Sequence, residues 1–529
     1  MQAKAFILTI DLGTSGPKVC IFDENLVLIE SAFHEVPLYL VGQNGAEQNP
    51  QDWIFAIKKC IQELRVKNEQ LLKRVDAINV TAQWSGTVAL DSNHHPIGNA
   101  ITCMDSRGAP YAHQLTDGLL TVDGYDLIKV LRWIQITGGA PTKSGKDSIA
   151  HILYLKNECP EIYHETNVFL EPLDYLNYFL SGRVCASHDS ISLHWITDNR
   201  DINHIKYSDS LIKKCGIDAK KLPPLIPTNS ILGKIRPELA IEWGISPDTQ
   251  IVSGTPDVQS AAVGSGGVKD YIPHLYIGTS SWLVCHVPFK KTDLLHNLAS
   301  IPSGIPGRYM LINEQQTAGA CLQFLKNQIF FPKNSIMGEV APVDIYKKMD
   351  LLASEVPAGS DGLLFLPWLN GERTPVDQQH LRGGLINLSL QHEQKHMIRA
   401  VMEGVALNSR WLMQHAEKYC GKTFEAIHFI GGGAHSHIWS QIFADVLNRP
   451  IKRMKDPLTA NSKGAAALGL VALGKLTMAE VEAKIEVNET LLPNPNTIEI
   501  YNQSFKNFRK FYCKNSSFFK EMNQRVKTK

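Results

Sequence analysis

The chain has 529 residues, too many for one small core, and its 44% hydrophobic and 20% charged residues are typical of a globular protein. Because 53 Lys and Arg face 52 Asp and Glu, the net charge of +1 provides no broad positive field, and we expect neither a nucleic-acid nor a membrane partner. The ten cysteines are scattered without a C-x-x-C pair, and no uncharged apolar run is long enough to span a bilayer. These features favour a cytoplasmic protein with reduced thiols.

The first predicted element is a β-hairpin. An apolar run over residues 5–10 leads into a turn at 11–16, and the apolar pattern resumes over 18–22. The same succession of strand, Gly-Thr-Ser turn and strand recurs over residues 274–287. Since the two hairpins stand half a chain apart, we interpret them as an internal duplication into two similar α/β halves.

Helical and strand patterns alternate after the first hairpin. Residues 53–67 place apolar side chains at helical spacing, and residues 76–80 are typical of a strand. A glycine cluster at 264–267 then precedes the second hairpin. We therefore predict a hinge there, between an N-terminal domain of residues 1–266 and a C-terminal domain of residues 267–529.

The second half repeats the alternation. Its patterns predict a strand at 362–367, a long helix at 394–417 and a strand at 427–430. From Phe505 onward the tail is basic, and its aromatic residues share one helical face. We predict a terminal helix docked on the C-terminal domain; the alternative is a basic helix on a membrane surface.

Both hairpin turns have the chemistry of a phosphate site. Their glycines allow a phosphate to approach backbone N–H groups, and their hydroxyl side chains add donors. Asp11, on the first turn, would repel a bare phosphate but can hold a hydrated Mg²⁺ that bridges to nucleotide phosphates. One such turn alone is better explained as a tight hairpin bonded to its own backbone. The second copy favours a nucleotide site.

A third glycine site differs in kind. The strand at 427–430 runs directly into Gly431, Gly432 and Gly433, and a helical pattern follows over 438–447. Strand, glycine turn and helix N-terminus together form an anion- or nucleotide-binding arrangement. The spacing matches neither a P-loop nor a Rossmann fingerprint, so a P-loop kinase and a Rossmann dehydrogenase are disfavoured.

Asp257 is the candidate catalytic base. It closes a turn at 254–257 after a predicted strand at 250–253, and the small-residue run 260–264 follows. A carboxylate at a strand end beside the hinge can accept a proton from a substrate hydroxyl during phosphoryl transfer. An aspartate there can equally be an ordinary helix N-cap, and local pattern leaves both open.

Taken in order, these motifs resemble the FGGY carbohydrate kinases of the sugar-kinase, Hsp70 and actin superfamily. Residues 11–18 resemble the family's first phosphate motif, 278–280 its second, 431–436 its adenosine motif, and 254–264 the segment that holds its catalytic base. The resemblance spans nearly the whole chain. It implies two ribonuclease-H-like domains with a cleft between them, and Asp257 as the base. It also implies ATP bound by Gly13, Thr14, Ser15, Lys18, Gly278, Thr279, Ser280, Gly431, Gly432, Gly433, Ala434 and Ser436.

Within the family, residues 48–53 and 83–86 most resemble the xylulokinase-like branch, and sugar would bind mainly in the first domain. Trp84 and Ser85 replace the Met and His that are usual there, which leaves the identity of the sugar open. We expect Gln83 and Asp105 to face the cleft as sugar ligands, together with Asp257. Trp84 is a further candidate ligand, with a place in the core as the alternative.

The resulting hypothesis is transfer of the γ-phosphoryl group of MgATP to a hydroxyl of a ketose or polyol. A ketopentose such as xylulose is the first candidate, with ribulose, ribitol and glycerol as alternatives. Mg²⁺ would be held at Asp11 and Asp257. A chain of this superfamily could also use its nucleotide cleft as a conformational switch or sugar sensor without kinase activity. The family resemblance further suggests a homodimer.

Overall fold

The computed structural model describes residues 5–118, 121–122, 125–334 and 340–523. A six-stranded mixed sheet forms the first lobe, in the order β5-β6-β4-β1-β2-β3. Strand β1 pairs antiparallel with β2 and parallel with β4, which in turn pairs parallel with β6. The strands are β1 Phe6–Gly13, β2 Gly16–Asp23, β3 Leu28–Phe33, β4 Val75–Ala82, β5 Ile231–Lys234 and β6 Gln250–Pro256.

An eight-stranded sheet forms the second lobe, in the order β9-β10-β11-β8-β7-β12-β13-β14. Strand β7 again pairs antiparallel with the next strand and parallel with a later one, β12. The shared pairing confirms the predicted α/β class and the likeness of the two halves. The strands are β7 His274–Ile277, β8 Ser281–Val287, β9 Thr292–Asp293, β10 Leu298–Pro302, β11 Tyr309–Ile312, β12 Ile427–Ile430, β13 Ile451–Met454 and β14 Val487–Leu491.

Seven helices position the site or frame the lobes. They are α1 Pro50–Leu72, α2 Asp257–Gly264, α3 Gly319–Phe324, α4 Gln394–Cys420, α5 His437–Leu447, α6 Ala460–Ala472 and α7 Ile498–Asn523. Helix α1 starts before the predicted residue 53 because Asn49 caps it and Pro50 follows at the first turn. Helix α4 runs past the predicted residue 417 and ends where Gly421 takes a left-handed φ of +66°.

Smaller elements complete the two lobes. The further helices are Ala109–Thr116, Leu127–Thr137, Ser148–Glu158, Pro160–Glu165, Pro172–Ser181, Asp209–Cys215, Pro237–Trp243, Ile345–Ser354 and Met478–Lys484. The further strands are Tyr39–Val41, Gly45–Gln48, Val88–Leu90, Ala100–Ile101, Thr121–Val122, Tyr125–Asp126, Val168–Leu170, Ala186–Ser187, Thr197–Asp198, Lys206–Tyr207, Leu225–Ile226, Leu364–Leu366 and Gly384–Ile386.

Helix α6 comes from the second half of the sequence but packs on the sheet of the first lobe. The side-chain amide of Asn79, on β4, donates to the carbonyl oxygen of Ala465 at 2.6 Å. Gly469 lies so close to β1 that a Cβ there would stand 3.2 Å from the Ile7 side chain. The boundary predicted at residues 266/267 therefore does not separate two independent cores, because α6 completes the core of the first lobe.

Helices α2 and α6 cross with almost no space between their backbones. A Cβ added to Gly264 would lie 1.8 Å from the carbonyl oxygen of Ala460, and one added to Gly464 would lie 1.9 Å from that of Ser260. Only glycine fits at these two positions. Helix α2, which starts at Asp257, is therefore fixed against α6, the helix of the second half that packs on the first lobe.

The basic tail forms α7, whose aromatic side of Tyr501, Phe505 and Phe508 is buried. The rings of Phe508 and Trp368 lie 5.1 Å apart, so the helix is docked on the second lobe as predicted. Since this apolar side already has a partner, the membrane-surface alternative loses its basis. Within the described ranges, no helix combines the length and apolar character needed to cross a membrane.

Candidate active site

The candidate residues of the first lobe meet at one end of its sheet. Asp11 lies on β1 opposite Thr81 of β4, and Thr81 lies opposite Thr255 of β6. Because these three strands are parallel, the residues that follow them leave the sheet at the same edge. Asp257 begins α2 directly after β6, and it therefore stands beside Asp11 and the first hairpin turn.

The first turn closes between Gly13 and Gly16 and is shorter than the predicted 11–16, because β1 continues through Asp11 to Gly13. Gly16 has a φ of +144°, and a Cβ there would lie 2.1 Å from the carbonyl oxygen of His34, so the position requires glycine. The Thr14 hydroxyl donates to the amide oxygen of Gln83 at 3.2 Å. Ser15, next in the turn, is exposed. The turn thus presents backbone and hydroxyl donors on a rigid base.

Gln83 supports the first turn. Its amide oxygen accepts from the Thr14 hydroxyl, and its amide nitrogen donates to Gln48 Oε1 at 2.8 Å. Gln48 in turn donates to the carbonyl oxygen of Thr14 at 2.8 Å. The Gln83 side chain is only 4% exposed. Both ends of this predicted sugar ligand are therefore occupied by protein partners, and its direct contact with a sugar stays a prediction.

Asp11 is buried, and contacts from both halves of the sequence hold it. Burial raises the pKa of its carboxyl, while the charge of Lys18 and hydrogen bonds from Ser462 and Asn461 act against that rise. The Ser462 hydroxyl, on α6, lies 3.4 Å from Asp11 Oδ2. Lys18, expected to meet phosphate, donates instead to the carbonyl oxygen of Leu458 at 2.9 Å and so links β2 to the segment before α6.

Asp257 is a partly exposed carboxyl in a setting that favours its protonated form. Burial, the neighbouring charge of Asp11 and that of Glu314 raise its pKa to about 7, while the N–H of Val258 donates to its Oδ1 at 2.8 Å and acts against that rise. The helix cap is Pro256 rather than Asp257, so the N-cap alternative is wrong. A carboxyl poised near neutral pH beside other acids is suited to general base catalysis.

The predicted turn at 254–257 is also different in detail, because β6 continues through Pro256. Gly254 takes a φ of +66° within the strand, and a Cβ there would lie 1.9 Å from the carbonyl oxygen of Val80. The strand is irregular here but does not end. This local bend sets the direction from which Asp257 enters the site.

The second turn is anchored on helix α3. The N–H of Gly319 donates to the carbonyl oxygen of Gly278 at 2.8 Å, and the N–H of Ala318 donates to that of Thr279 at 2.9 Å. A Cβ at Gly319 would lie 2.4 Å from the Gly278 oxygen, so the helix approaches as closely as glycine allows. Thr279 is exposed and Ser280 half-buried on this fixed turn.

The third glycine segment follows β12, the parallel neighbour of β7, so it lies beside the second turn. Gly431 has a φ of +85°, and a Cβ there would lie 2.6 Å from the carbonyl oxygen of Ile277. A Cβ added to Gly433 would lie 2.6 Å from the Ile277 side chain, and Gly432, between the two, is exposed. Glycine turns on adjacent parallel strands form a flat floor suited to a nucleotide.

The last two predicted nucleotide residues have structural partners. The Ser436 hydroxyl accepts from the N–H of Trp439 at 3.0 Å, which caps α5, and donates to Asp350 at 2.8 Å. Ala434 is buried, and its carbonyl oxygen accepts from Arg453 at 3.0 Å. Both residues fix the start of α5, and their contact with adenosine stays a prediction.

Two further predicted sugar residues, Asp105 and Trp84, are buried like Gln83. Asp105 was expected to face the cleft but is fully buried, where its carboxylate accepts from the N–H of Ala46 and from Arg107, both at 2.9 Å. Trp84 is 9% exposed and donates its indole N–H to the carbonyl oxygen of Ser190 at 2.8 Å, which supports the core alternative. The side chains of Asp105 and Trp84 are thus bonded to protein partners, and their contact with a sugar stays a prediction.

The sequence analysis missed Glu314, whose charge acts on Asp257, and its partner Arg373. Glu314 raises the pKa of Asp257, and Arg373 pairs with Glu314. Arg373 follows Glu372, which is fully buried and whose pKa is raised to about 7 by that burial. No local pattern marks Glu314, because it reaches the site only through the turn after β11. Glu314 therefore adds a second acidic neighbour to Asp257 besides Asp11, and Arg373 pairs with it.

Comparisons with known proteins agree with this geometry. Models of the N- and C-terminal domains of the FGGY family of carbohydrate kinases match residues 6–264 and 275–473. The xylulose kinase of Staphylococcus epidermidis is 31% identical over 526 residues, covering 97% of each chain. The gluconokinase of Bacillus subtilis is 26% identical over 473 residues, covering 89% of this chain and 88% of the relative. Ligand-bound xylulose kinase from Lactobacillus acidophilus superposes with a TM-score of 0.85 at 22% identity, over 98% of this chain and all of that one.

Two similar α/β lobes with glycine turns around a carboxylate, together with these family matches, identify a carbohydrate kinase, and ATP is the phosphoryl donor that this class implies. The chain belongs to the FGGY family of carbohydrate kinases, as the sequence analysis predicted.

Proposed function

We propose that the protein transfers the γ-phosphoryl group of MgATP to a hydroxyl of a five-carbon ketose, with xylulose as the first candidate. Xylulose kinases are among its most similar relatives, and they align over nearly the whole chain. The observation that carries the proposal is the position of Asp257, a base with a pKa near 7 that lies partly exposed beside the first phosphate turn. Its carboxylate would accept the proton of the sugar hydroxyl.

The carboxylates of Asp11 and Asp257 fit a bound Mg²⁺. The charge of Asp11 raises the pKa of Asp257, and a divalent cation beside the two carboxylates would relieve their repulsion. No group of three or more acidic, His or Cys residues among those described is arranged to enclose a metal. A magnesium ion that keeps most of its water and is shared with nucleotide phosphates has few protein ligands, as here. When bound, Mg²⁺ would neutralise charge on the phosphates.

The glycine turns support the proposed nucleotide site. Thr14 and Ser15 in the first lobe and Thr279 and Ser280 in the second offer hydroxyl and N–H donors to phosphate. Gly431–433 and the N-terminus of α5 form the proposed floor for adenosine. Because phosphoryl transfer passes through a loose transition state, alignment and donors at these turns would supply most of the catalysis.

The test is a panel of xylulose, ribulose, ribitol, glycerol and gluconate in a coupled assay of ADP release. We expect a ketopentose to give the highest kcat/KM. Preference for gluconate, the substrate class in the name of the Bacillus relative, would replace the ketopentose and retain the kinase assignment. ADP release that no acceptor stimulates would favour the switch or sensor alternative instead.

We further propose that the protein acts in the cytoplasm, where its ten cysteines, all free in the structure, would stay reduced. A homodimer is also proposed, by analogy with the family. Light scattering coupled to size-exclusion chromatography measures the mass directly, and a mass near the 58.9 kDa of one chain would contradict the dimer.

A further inference from the structure

Tyr276, on β7, lies between the second and third glycine turns and has no part in the site as described so far. A Cβ added to Gly278 would lie 2.4 Å from the Tyr276 hydroxyl oxygen, and one added to Gly431 would lie 3.0 Å from its ring. The ring therefore lies against both turns that form the proposed nucleotide floor. Its hydroxyl is at the phosphate turn and not at the adenosine end.

The ring is held in one position by its neighbours. It stacks on Trp282 with ring centres 3.9 Å apart and planes 6° from parallel. Trp282 is itself fixed, because its indole N–H donates to His274 Nε2 at 3.0 Å. Tyr276 also packs against the small apolar cluster of Ala261, Ile430, Met454 and Ala460, which includes one residue each of α2 and α6. A group so constrained is preorganised and does not need to reorient during a reaction.

The hydroxyl has no protein partner but has charged neighbours. In the described part of the chain, no hydrogen bond ends on it, and the side chain is partly exposed. Burial and the nearby carboxylates of Asp257 and Asp11 raise the pKa of Tyr276 to about 12. The phenol therefore keeps its proton at neutral pH, and its donor is free at the side of the cleft where the carboxylates lie.

We propose that Tyr276 is a further catalytic residue, which donates a hydrogen bond from its hydroxyl to a non-bridging oxygen of the phosphoryl group in transit. The inference rests on the proposed kinase function. In the step, the bond from the γ-phosphorus to the β–γ bridging oxygen breaks and a bond to the sugar oxygen forms. The sugar proton passes to Asp257, and Tyr276 retains its own proton throughout. A neutral donor at this point stabilises the negative charge on the transferred phosphoryl group, and because it carries no charge it does not act as a further ligand of Mg²⁺.

The test compares Tyr276→Phe with Tyr309→Phe. The first variant keeps the ring, the Trp282 stack and the helix contacts, and removes only the hydroxyl. The second variant changes Tyr309, on β11, and removes a hydroxyl that donates to the carbonyl oxygen of Asn199 at 2.9 Å. Removal of one donor to a transition-state oxyanion lowers kcat by roughly 10² to 10³. We therefore expect about a hundredfold lower kcat for Tyr276→Phe with little change in the KM for ATP, and near-normal kinetics for Tyr309→Phe.

A binding experiment separates catalysis from folding. Each variant is titrated with ADP, which counts folded sites, and then with ADP plus aluminium fluoride, which mimics the phosphoryl group in transit. We expect Tyr276→Phe to bind ADP normally and the fluoride complex weakly. Equal affinity of wild type and variant for the fluoride complex, an unchanged kcat, or a parallel loss of ADP affinity would each overturn the proposal. Failure of every sugar in the panel would end the proposed function alone, because the fluoride experiment needs no sugar.

Discussion

Asp257 can act as a base only after it loses its own proton. Its pKa of about 7 in the folded protein, well above the ordinary value for aspartate, results from burial and from the charges of Asp11 and Glu314. The ionised fraction falls about tenfold for each pH unit below the pKa. We expect kcat/KM to fall along a limb centred near pH 7 as the pH is lowered, and to level off above it.

Glu314→Gln checks the cause of this limb. Removing one negative neighbour lowers the pKa of Asp257, so the limb should move to lower pH. Glu425→Gln is the control, because Glu425 is exposed and precedes β12, away from the glycine turn that follows this strand. A pH profile that Glu314→Gln leaves unmoved would show that another group titrates in the limb.

Removal of the base itself is the second prediction. Asp257→Ala deletes a general base, whose contribution is typically on the order of 10² to 10⁴ in rate, while leaving the glycine turns intact. We expect ADP binding to persist and kcat to fall within that range, as measured by calorimetry and by the coupled assay. Near-normal turnover would contradict the assignment.

For single residues, the sequence predicts the position of those that belong to a local motif. It does not predict the hydrogen-bond partners of a side chain when those partners are distant in the sequence. Asp11 and Asp257 stand where their motifs place them. Gln83 and Asp105 were expected to bind sugar, but Gln48 and Arg107 occupy their polar atoms. Whether a polar side chain faces a ligand or a protein partner depends on the tertiary contacts, which a local pattern does not contain.

Among the elements, the crossing of α2 and α6 leaves no space for a larger residue at its two glycines. Gly464→Ala would place a Cβ 1.9 Å from the carbonyl oxygen of Ser260, and backbone cannot yield as a side chain can. Overpacking of this kind typically costs about 1–3 kcal/mol. We expect a lower midpoint in urea unfolding, and lower turnover because α2 carries Asp257.

Gly384→Ala is the matched control for that substitution. Gly384 has open space around its Cα and an ordinary negative φ, so the added methyl group meets nothing. Its unfolding midpoint should stay close to that of the wild type. If both variants unfold alike, close packing at the crossing is not what holds the two helices.

The elements themselves were largely predictable, because hydrophobic periodicity is local information. Both hairpins, the long helix α4 and the docked tail helix were confirmed. The placement of α6 was not predicted: its run of small residues indicates close packing but not the sheet against which it packs. That choice depends on contacts such as the bond from Asn79 to Ala465, which joins residues from opposite halves of the chain.

At the scale of the whole molecule, we expect one lobe to move against the other during the reaction. The lobes share the α2–α6 crossing, and Lys18 of the first lobe contacts the carbonyl oxygen of Leu458 beside it. With Asp257 on one side and the second and third glycine turns on the other, a productive site requires closure. We expect the radius of gyration from X-ray scattering to decrease when sugar and a non-hydrolysable ATP analogue are both bound.

The same closure should limit wasteful hydrolysis. Water in place of the sugar does not draw the lobes together, so ATP hydrolysis without an acceptor should be slow compared with transfer to the preferred sugar. The ADP-release assay measures both rates on one sample. An unchanged scattering curve together with fast hydrolysis would show that the site is already assembled in the resting molecule.

The packing of α6 on the first sheet also has a consequence for biosynthesis. The ribosome synthesises β1, β4 and β6 long before α6, which covers one face of their sheet. That face is therefore exposed in the nascent chain until α6 has been synthesised. Premature termination before residue 460 would leave this surface permanently uncovered, and such fragments should be substrates for chaperones and proteases.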